Sequence, residues 1–259
     1  VNGCVYEITF LDQIRKHGLS EDSQMIVYGA GPSSRDSKVA GEKMLRAGFG
    51  NVLVFEGGLE AFREQGHPLE GSDPLGQDPP HPVTLVEDRE YVLQPKESSF
   101  FWKGANFNGA HHGTLQPASG SMHFTKGTGE LVLDMTSITN SDLEGNELQP
   151  VLEDHLRSDD FFFTGLFPEA RFTLTACVPV EGAAATVPNY QIQGTLSLRG
   201  ITQALAFPAH LRTVGEGSLA LMADVELDRT KWGVIYGSAR FFQYLSYHVV
   251  FDHIAASFR

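Results

Sequence analysis

Cysteine is nearly missing from this chain. Cys4 and Cys177 are the 2 cysteines among 259 residues, and they fall in different segments with apolar neighbours. That spacing excludes a disulfide framework and suits buried free thiols better than a bridge between segments. Positive charge is scarce as well: 19 Lys and Arg stand against 32 Asp and Glu, a formal net charge of −13. Neutralising a phosphate backbone needs clustered cations, so no nucleic-acid partner is expected. The same deficit disfavours docking on anionic headgroups through a polybasic patch. No run of about 18 apolar residues occurs, so no membrane-spanning segment is expected. The chain opens at Val1 without Met, charged n-region or apolar h-region, which reads as a cut N-terminus. Location therefore stays open, with the cytoplasm slightly favoured over the periplasm.

What is present is ordinary globular composition. Hydrophobic residues make up 41% and charged residues 20%, enough apolar surface to fold as one large or two ordinary domains. Residues 1–71 read as α/β. Met25 to Tyr28 is a short apolar run ending at Gly29, as a buried parallel strand would. A small-residue loop to Ser34 follows, then a helical pattern from Arg35 to Ala47 closed by Gly48. Asn51 to Phe55 is a second strand, broken by Gly57-Gly58, and a further helix starts at Leu59 and ends near Gly66. Strand, helix and strand in this order make a right-handed parallel crossover. Residues 72–88 are rich in Pro, Gly, Asp and Ser, including Asp78-Pro79-Pro80, and read as an interdomain linker.

From Arg89 onward the period becomes two. Leu131, Leu133 and Met135 alternate with Val132, Asp134 and Thr136; Phe172 and Leu174 alternate with Arg171 and Thr173. Tyr190 to Leu198, Leu205 to Leu211 and Leu219 to Leu227 repeat the pattern. Counting the runs at 91–102, 112–125 and 247–258, about eight strands result, one face of each apolar. An eight-stranded barrel is either filled by side chains or wide enough for one small ligand. Periodicity leaves that choice open.

Two resemblances sharpen this reading. Residues 24–71 resemble a rhodanese-like domain through Gly48-Phe49 before the second strand, the Gly57-Gly58 pair and Gly66, Pro68 and Leu69 behind it. Only the C-terminal half of that family is covered; its opening strand would lie upstream of Val1. The family's catalytic cysteine begins the loop after the first of these strands, over backbone N–H groups that depress a thiol pKa. Here that position is Gly29, and neither Cys4 nor Cys177 is placed to replace it. The loop from Gly29 to Arg35 is one residue longer than the rhodanese spacing, as in relatives that hold larger tetrahedral anions. Gly29, Ala30, Gly31, Ser33, Ser34 and Arg35 are accordingly candidates for an anion-binding nest without chemistry. A relic loop kept for packing is the alternative.

Residues 89–258 resemble the YceI-like family, lipocalin-shaped barrels associated with polyisoprenoid binding. The resemblance rests on six ordered motifs: GAHHGTL at 109–115, LVLDMTSITNSDL at 131–143, DHLRSDDFF at 154–162, FPEARFTLTA at 167–176, GTLSLRGIT at 194–202 and LDRTKWGV at 227–234. It implies a multidomain chain, a partial rhodanese-like α/β domain followed by an all-β, eight-stranded antiparallel barrel at 89–259. The candidate ligand-binding residues are Trp102, Phe124, Leu133, Leu156, Phe161, Phe162, Phe172, Leu174, Ile192, Leu196, Phe207 and Leu221. Leu205, Leu219 and Leu227 belong to the same apolar face. The 154–162 stretch is expected to be a lid whose Leu156, Phe161 and Phe162 cap the lumen. Asp154, Arg157 and Asp159 would tie it to neighbouring strands.

Chemistry is poorly supported by comparison. His111 and His112 are adjacent on a strand and would point to opposite faces, so they are not expected to share a metal ion. A site built from His112, His155 and an aspartate is not expected either, and no cofactor is implied. Asp228-Arg229-Thr230 matches a strand end that turns the chain, and no nucleophile elbow occurs. The reading is a non-enzymatic binder of an apolar small molecule, a polyisoprenoid or quinone-like lipid, with an inactive rhodanese-like module as accessory. The alternative is a sulfur- or anion-handling stress protein whose barrel is structural. Oligomeric state is open, a homodimer included. With Gly29 in place of a thiolate, thiosulfate cyanolysis by the purified chain should not rise above a blank, before or after Cys4→Ala.

Overall fold

The structure, a computed structural model, describes residues 8–32, 34–70, 84, 86–184 and 186–259. Cys4, Ser33 and most of the 72–88 linker lie outside the described residues. The chain divides into two compact units, residues 1–79 and 80–259.

In the first unit, α1 (Phe10–Lys16) precedes β1 (Met25–Tyr28), α2 (Asp36–Arg46), β2 (Val52–Phe55) and α3 (Gly58–Glu64). β1 and β2 pair in parallel, Met25 opposite Val52 and Tyr28 opposite Phe55. The crossover follows the apolar pattern of the sequence; α1, with apolar residues at Phe10, Leu11 and Ile14, was not read there. Ile14, Met25, Met44 and Phe49 form the buried core of this unit. The glycine pair before α3 has a steric cause. Gly58 holds φ +60°, and a Cβ on it would strike the Gly29 carbonyl and the Gly31 amide. Its absence lets Leu59 and Glu60 donate their N–H groups to the carbonyls of Gly29 and Ala30, at 3.0 and 2.9 Å.

The second unit is a closed meander. After the two-residue β3 (Tyr91–Val92) come β4 (Phe100–Ala105), β5 (Ala110–His123), β6 (Thr128–Asn140), β7 (Glu169–Pro179), β8 (Tyr190–Leu198), β9 (Ile201–Gly215), β10 (Ser218–Asp228) and β11 (His253–Phe258). Each of the eight strands β4 to β11 pairs antiparallel with the next, and β11 closes the ring on β4. β3 adds to β5 beside Met122 and Ser121. The apolar run expected as one strand over 91–102 is therefore two. Pro95, which has no N–H to give to a ladder, lies in the turn between them. The run at 247–258 also shortens: Ser246–His248 is a 3-10 turn and only His253–Phe258 is strand.

One end of the barrel departs from regular pairing. Two steps along β5, Thr114 to Gln116, are matched by five along β6, Thr139 to Asp134, so Met135 to Ile138 bulge out of the ladder. Asp134 accepts the N–H and hydroxyl of Thr136, at 2.9 and 2.6 Å, and Ser137 takes the Gln116 N–H at 2.8 Å. The freed carbonyls of Thr136 and Ile138 accept from Arg157, at 3.3 and 2.6 Å. Arg157 stands at the end of α4 (Leu148–Arg157), where it also reaches Glu153 and Asp154. Gly113 permits a second contact at this end. A Cβ there would collide with the Thr139 carbonyl, to which the Trp102 indole N–H donates at 3.1 Å.

Two further arginines bond main chain at the same end. Arg199, in the two-residue β8–β9 turn with φ +51°, donates to the carbonyls of Asp159 and Gly233, at 2.6 and 2.7 Å. Arg229 is only 1% exposed and donates to the carbonyls of Val234, Tyr236, Val250 and Phe251 at 2.6–3.1 Å. Burial lowers its pKa, opposed by Asp252 and Asp228. A neutral replacement leaves several buried carbonyls without donors, at about 1–3 kcal/mol each before relaxation. Arg229→Met should lower unfolding free energy by about 3–5 kcal/mol in urea melts. Acid gives a second check. Asp142 accepts from the His112 N–H, His111 and Asn140 at 2.7–2.8 Å. Burial raises its pKa, but these bonds outweigh that and bring it to about 2. A depressed carboxylate stabilises the fold above its unfolded pKa. About 2 kcal/mol should therefore be lost as pH falls from roughly 4 to 2, and Asp142→Asn should abolish that component.

Candidate ligand cavity

The inside of the barrel is hollow. The eight strands enclose a cavity of about 1040 Å³, slightly above the roughly 300–1,000 Å³ usual for small-molecule sites. Its wall draws on every strand from β4 to β11, by alternate residues over most of the ring and by the consecutive run Ser218–Ala223 at one end of β10. On β10, Ser218 at one end and Leu227 at the other both face it. That separation, at ~3.3 Å per residue and a strand tilt of ~40°, corresponds to roughly 20 Å along the barrel axis. Small residues keep the space open: Gly104, Gly120, Ala170, Ala223 and Ala256 stand on the wall where larger side chains would fill it.

All twelve candidate ligand residues face this one space. Trp102, Phe124, Leu133, Phe172, Leu174, Ile192, Leu196, Phe207 and Leu221 come from the strands and the β5–β6 turn, while Leu156, Phe161 and Phe162 come from α4 and the turn behind it. Phe172 and Phe207 pack ring to ring, centroids 5.5 Å apart. Ser158 shapes the turn after α4: its hydroxyl donates to the His155 carbonyl at 2.7 Å, and its carbonyl accepts from Phe161 and Phe163. Phe163 takes φ +49°, reversing the chain so that Leu156 and Phe161 stay buried at the lumen edge.

The polar side chains at the α4 end are committed to structure. His155 lies between the rings of Phe161 and Tyr236, centroids 5.0 and 4.7 Å away, and meets Asp160 at 3.1 Å. Arg229 reaches the lumen with its guanidinium 6.0 Å from the Phe161 ring, its N–H groups already bonded to carbonyls. Asp228 caps the 3-10 turn Arg229–Trp232 through Thr230 and holds Arg240 at 3.0 Å. Its pKa is lowered: burial raises it, while Thr230 and Arg240 outweigh burial. At the opposite end Gln94, Glu97 and Arg259 face the opening.

Sequence reading missed Tyr236 of the cavity wall, and it took residues 248–250 of that wall for the start of the last strand. Tyr236 belongs to a stretch without period two, and the sole hint was Arg229 just upstream, a cation too deep for water to serve. His111 faces the lumen and His112 does not, as alternation requires, yet one carboxylate serves both: their Nδ1 atoms lie 2.8 and 3.6 Å from the two oxygens of Asp142. They sit at the first residues of β5, where the Asp142 turn reaches over the strand end. Among the described residues no group of three or more His, Cys, Asp or Glu is arranged for a metal ion.

Elsewhere, Cys177 on β7 is a half-buried free thiol whose pKa burial raises to about 11, which leaves it inert at neutral pH. In the first unit, Gly29, Ala30, Gly31, Ser34 and Arg35 follow β1 as expected. The carbonyls of Gly29 and Ala30 are taken by α3, and the Glu60 carboxylate lies against Gly31. An anion in this loop would face that carboxylate. No described helix is long and apolar enough to cross a membrane.

Comparison with known proteins bears on the barrel unit. A UPF0312 protein of Photorhabdus laumondii is 35% identical over 107 residues, 41% of this chain and 50% of that protein. One from Shewanella denitrificans is 46% identical over 63 residues, 24% of this chain and 29% of that protein. The chain thus aligns with half or less of the length of these curated relatives. Among solved structures, Burkholderia cenocepacia BcnA is 16% identical, covering 64% of this chain and 96% of its own at a TM-score of 0.47. A Saccharophagus degradans domain described as polyisoprenoid-binding is 18% identical, with 64% and 94% coverage and a TM-score of 0.45. The YceI-like domain model matches residues 91–258, from β3 to the end of β11. By that match over most of its length, the chain belongs to the YceI-like domain family.

Proposed function

We propose that the barrel binds one apolar molecule, a polyisoprenoid or quinone-like lipid, without chemical conversion. The observation that carries this reading is the lumen itself: a cavity of about 1040 Å³ walled by inward Leu, Ile, Phe and Met side chains. Apolar surface withdrawn from water contributes about 25 cal/mol per Å², so an extended chain in such a lumen gains along its whole length. Water there would find few partners, since the strand backbones are satisfied by their ladders. The lumen's length favours an extended or branched chain over a compact ring. A quinone-like head would suit an end of the lumen, where the polar residues lie.

Among the described residues, none on the lumen wall is arranged as a nucleophile with a base. The first unit, if it is rhodanese-like as its glycines suggest, serves this reading as an accessory without a thiolate. The anion-binding loop stays a secondary proposal, tested by phosphate titration of the residue 29–37 amide signals.

Trp102 faces the lumen, so its fluorescence should report occupancy. Titration with geranylgeraniol should give a saturable change in emission at one molecule per chain. Ala223→Trp projects a large side chain into the lumen and should weaken binding at least about tenfold, about 1.4 kcal/mol, while leaving the urea midpoint near that of the parent. Ala256→Phe repeats the test on β11. A linear, unsaturable response in the parent chain, with no lipid recovered by solvent extraction, would sink this reading.

A further inference from the structure

At the α4 end of the barrel the surface turns apolar. Phe107, in the β4–β5 turn, is 82% exposed, and Phe241, Phe242 and Tyr244, in the stretch before β11, are 53%, 44% and 97% exposed. These two segments lie side by side. Phe107 meets the Phe251 ring at 4.9 Å, and the Phe251 N–H donates to the Ala105 carbonyl at 2.9 Å. A small groove between them is lined by Asn106, Phe107, Asn108, Ser246 and Val249, and Asn106 and Val249 also line the lumen. Phe107 therefore borders a groove that shares Asn106 and Val249 with the lumen wall, and Phe241, Phe242 and Tyr244 belong to the stretch that supplies Ser246 and Val249 to it.

Exposed aromatic clusters of this kind mark a surface that is covered by something. Charge narrows the choice. Arg240, next to Phe241 in the chain, is held by Asp228 at 3.0 Å and Asp252 at 3.7 Å, so it offers little to an anionic headgroup. The chain as a whole carries −13 and is repelled by anionic membranes. What remains is partition of rings into the interface of a neutral bilayer, where aromatic side chains settle at headgroup depth. Continuity with the lumen supplies a reason for such a contact, because a ligand that suits this lumen is scarcely soluble in water and resides in lipid.

We propose that the aromatic surface formed by Phe107, Phe241, Phe242 and Tyr244 docks on a zwitterionic bilayer surface, bringing the groove between its two segments, and the lumen wall that the groove adjoins, against the lipid. As a route for loading, this rests on the lumen-binding reading above; as a membrane contact, it does not. The test is flotation of the full chain with phosphatidylcholine vesicles, at low and high salt, beside the Phe107→Ser, Tyr244→Ser double variant. Both side chains are largely exposed, so the variant should keep its circular dichroism and melting midpoint. The parent should float at both salt concentrations, the double variant should partition at least about tenfold less, and added phosphatidylserine should weaken the parent. If the parent stays below the vesicles, or the variant floats equally well, the docking proposal falls whatever geranylgeraniol does in solution. Binding only to anionic vesicles and lost in salt also overturns it. So does a parent dimer that the double variant breaks, because the aromatic surface then belongs to a second copy. Should the variant misfold, Phe241→Ser and Phe242→Ser carry the same comparison on the other segment.

Discussion

Guanidinium groups bonded to main-chain carbonyls hold together the end of the barrel that carries α4. A regular ladder satisfies its own carbonyls; a bulge and a long irregular crossing do not. Arg157 takes the two carbonyls freed by the β6 bulge, Arg199 ties the turn after α4 to the segment after β10, and Arg229 gathers four carbonyls of that segment. Each presents several fixed donors in a fork, which one lysine could not replace.

This logic connects motifs that looked separate in the sequence. The run at 131–143 makes the bulge and ends in Asn140 and Asp142. Asn140 and Asp142 fasten the start of β5 at His112. Glu153 of α4 accepts the Asn140 N–H at 2.8 Å, and Arg157 four residues on serves the bulge. Burial works against the Glu153 carboxylate, yet the bonds from Asn140, Gln149 and Arg157 lower its pKa. Histidines and carboxylates grouped this way resemble a metal site on paper. Their hydrogen bonds show instead a clamp between strand, turn and helix.

The sheet was legible because period two is a direct print of the pleat, and the inward positions of Phe172, Leu174, Ile192 and Leu196 followed from it. The place of Leu156, Phe161 and Phe162 on the cavity wall was legible because they are too apolar to stand in water beside Asp159 and Asp160. Whether the lumen is filled was not legible. It depends on Gly104, Gly120, Ala170, Ala223 and Ala256 falling at wall positions together, and no single strand discloses that sum. Residues 235–246 were opaque for a different reason. They have no repeat of their own and are placed by Arg229, whose partners are carbonyls that every residue type carries alike.

The order of strands around the ring carries a temporal consequence. Neighbours in the barrel are neighbours in the chain at every seam except one, where β11 joins β4 across some 150 residues of intervening sequence. Until His253–Phe258 has left the ribosome, β4 and β10 each present an unpaired edge, with Phe100 and Trp102 beside the open seam. A nascent chain of this design is thus most prone to aggregation in the interval between the synthesis of β10 and that of β11, when both edges of the seam stand open together.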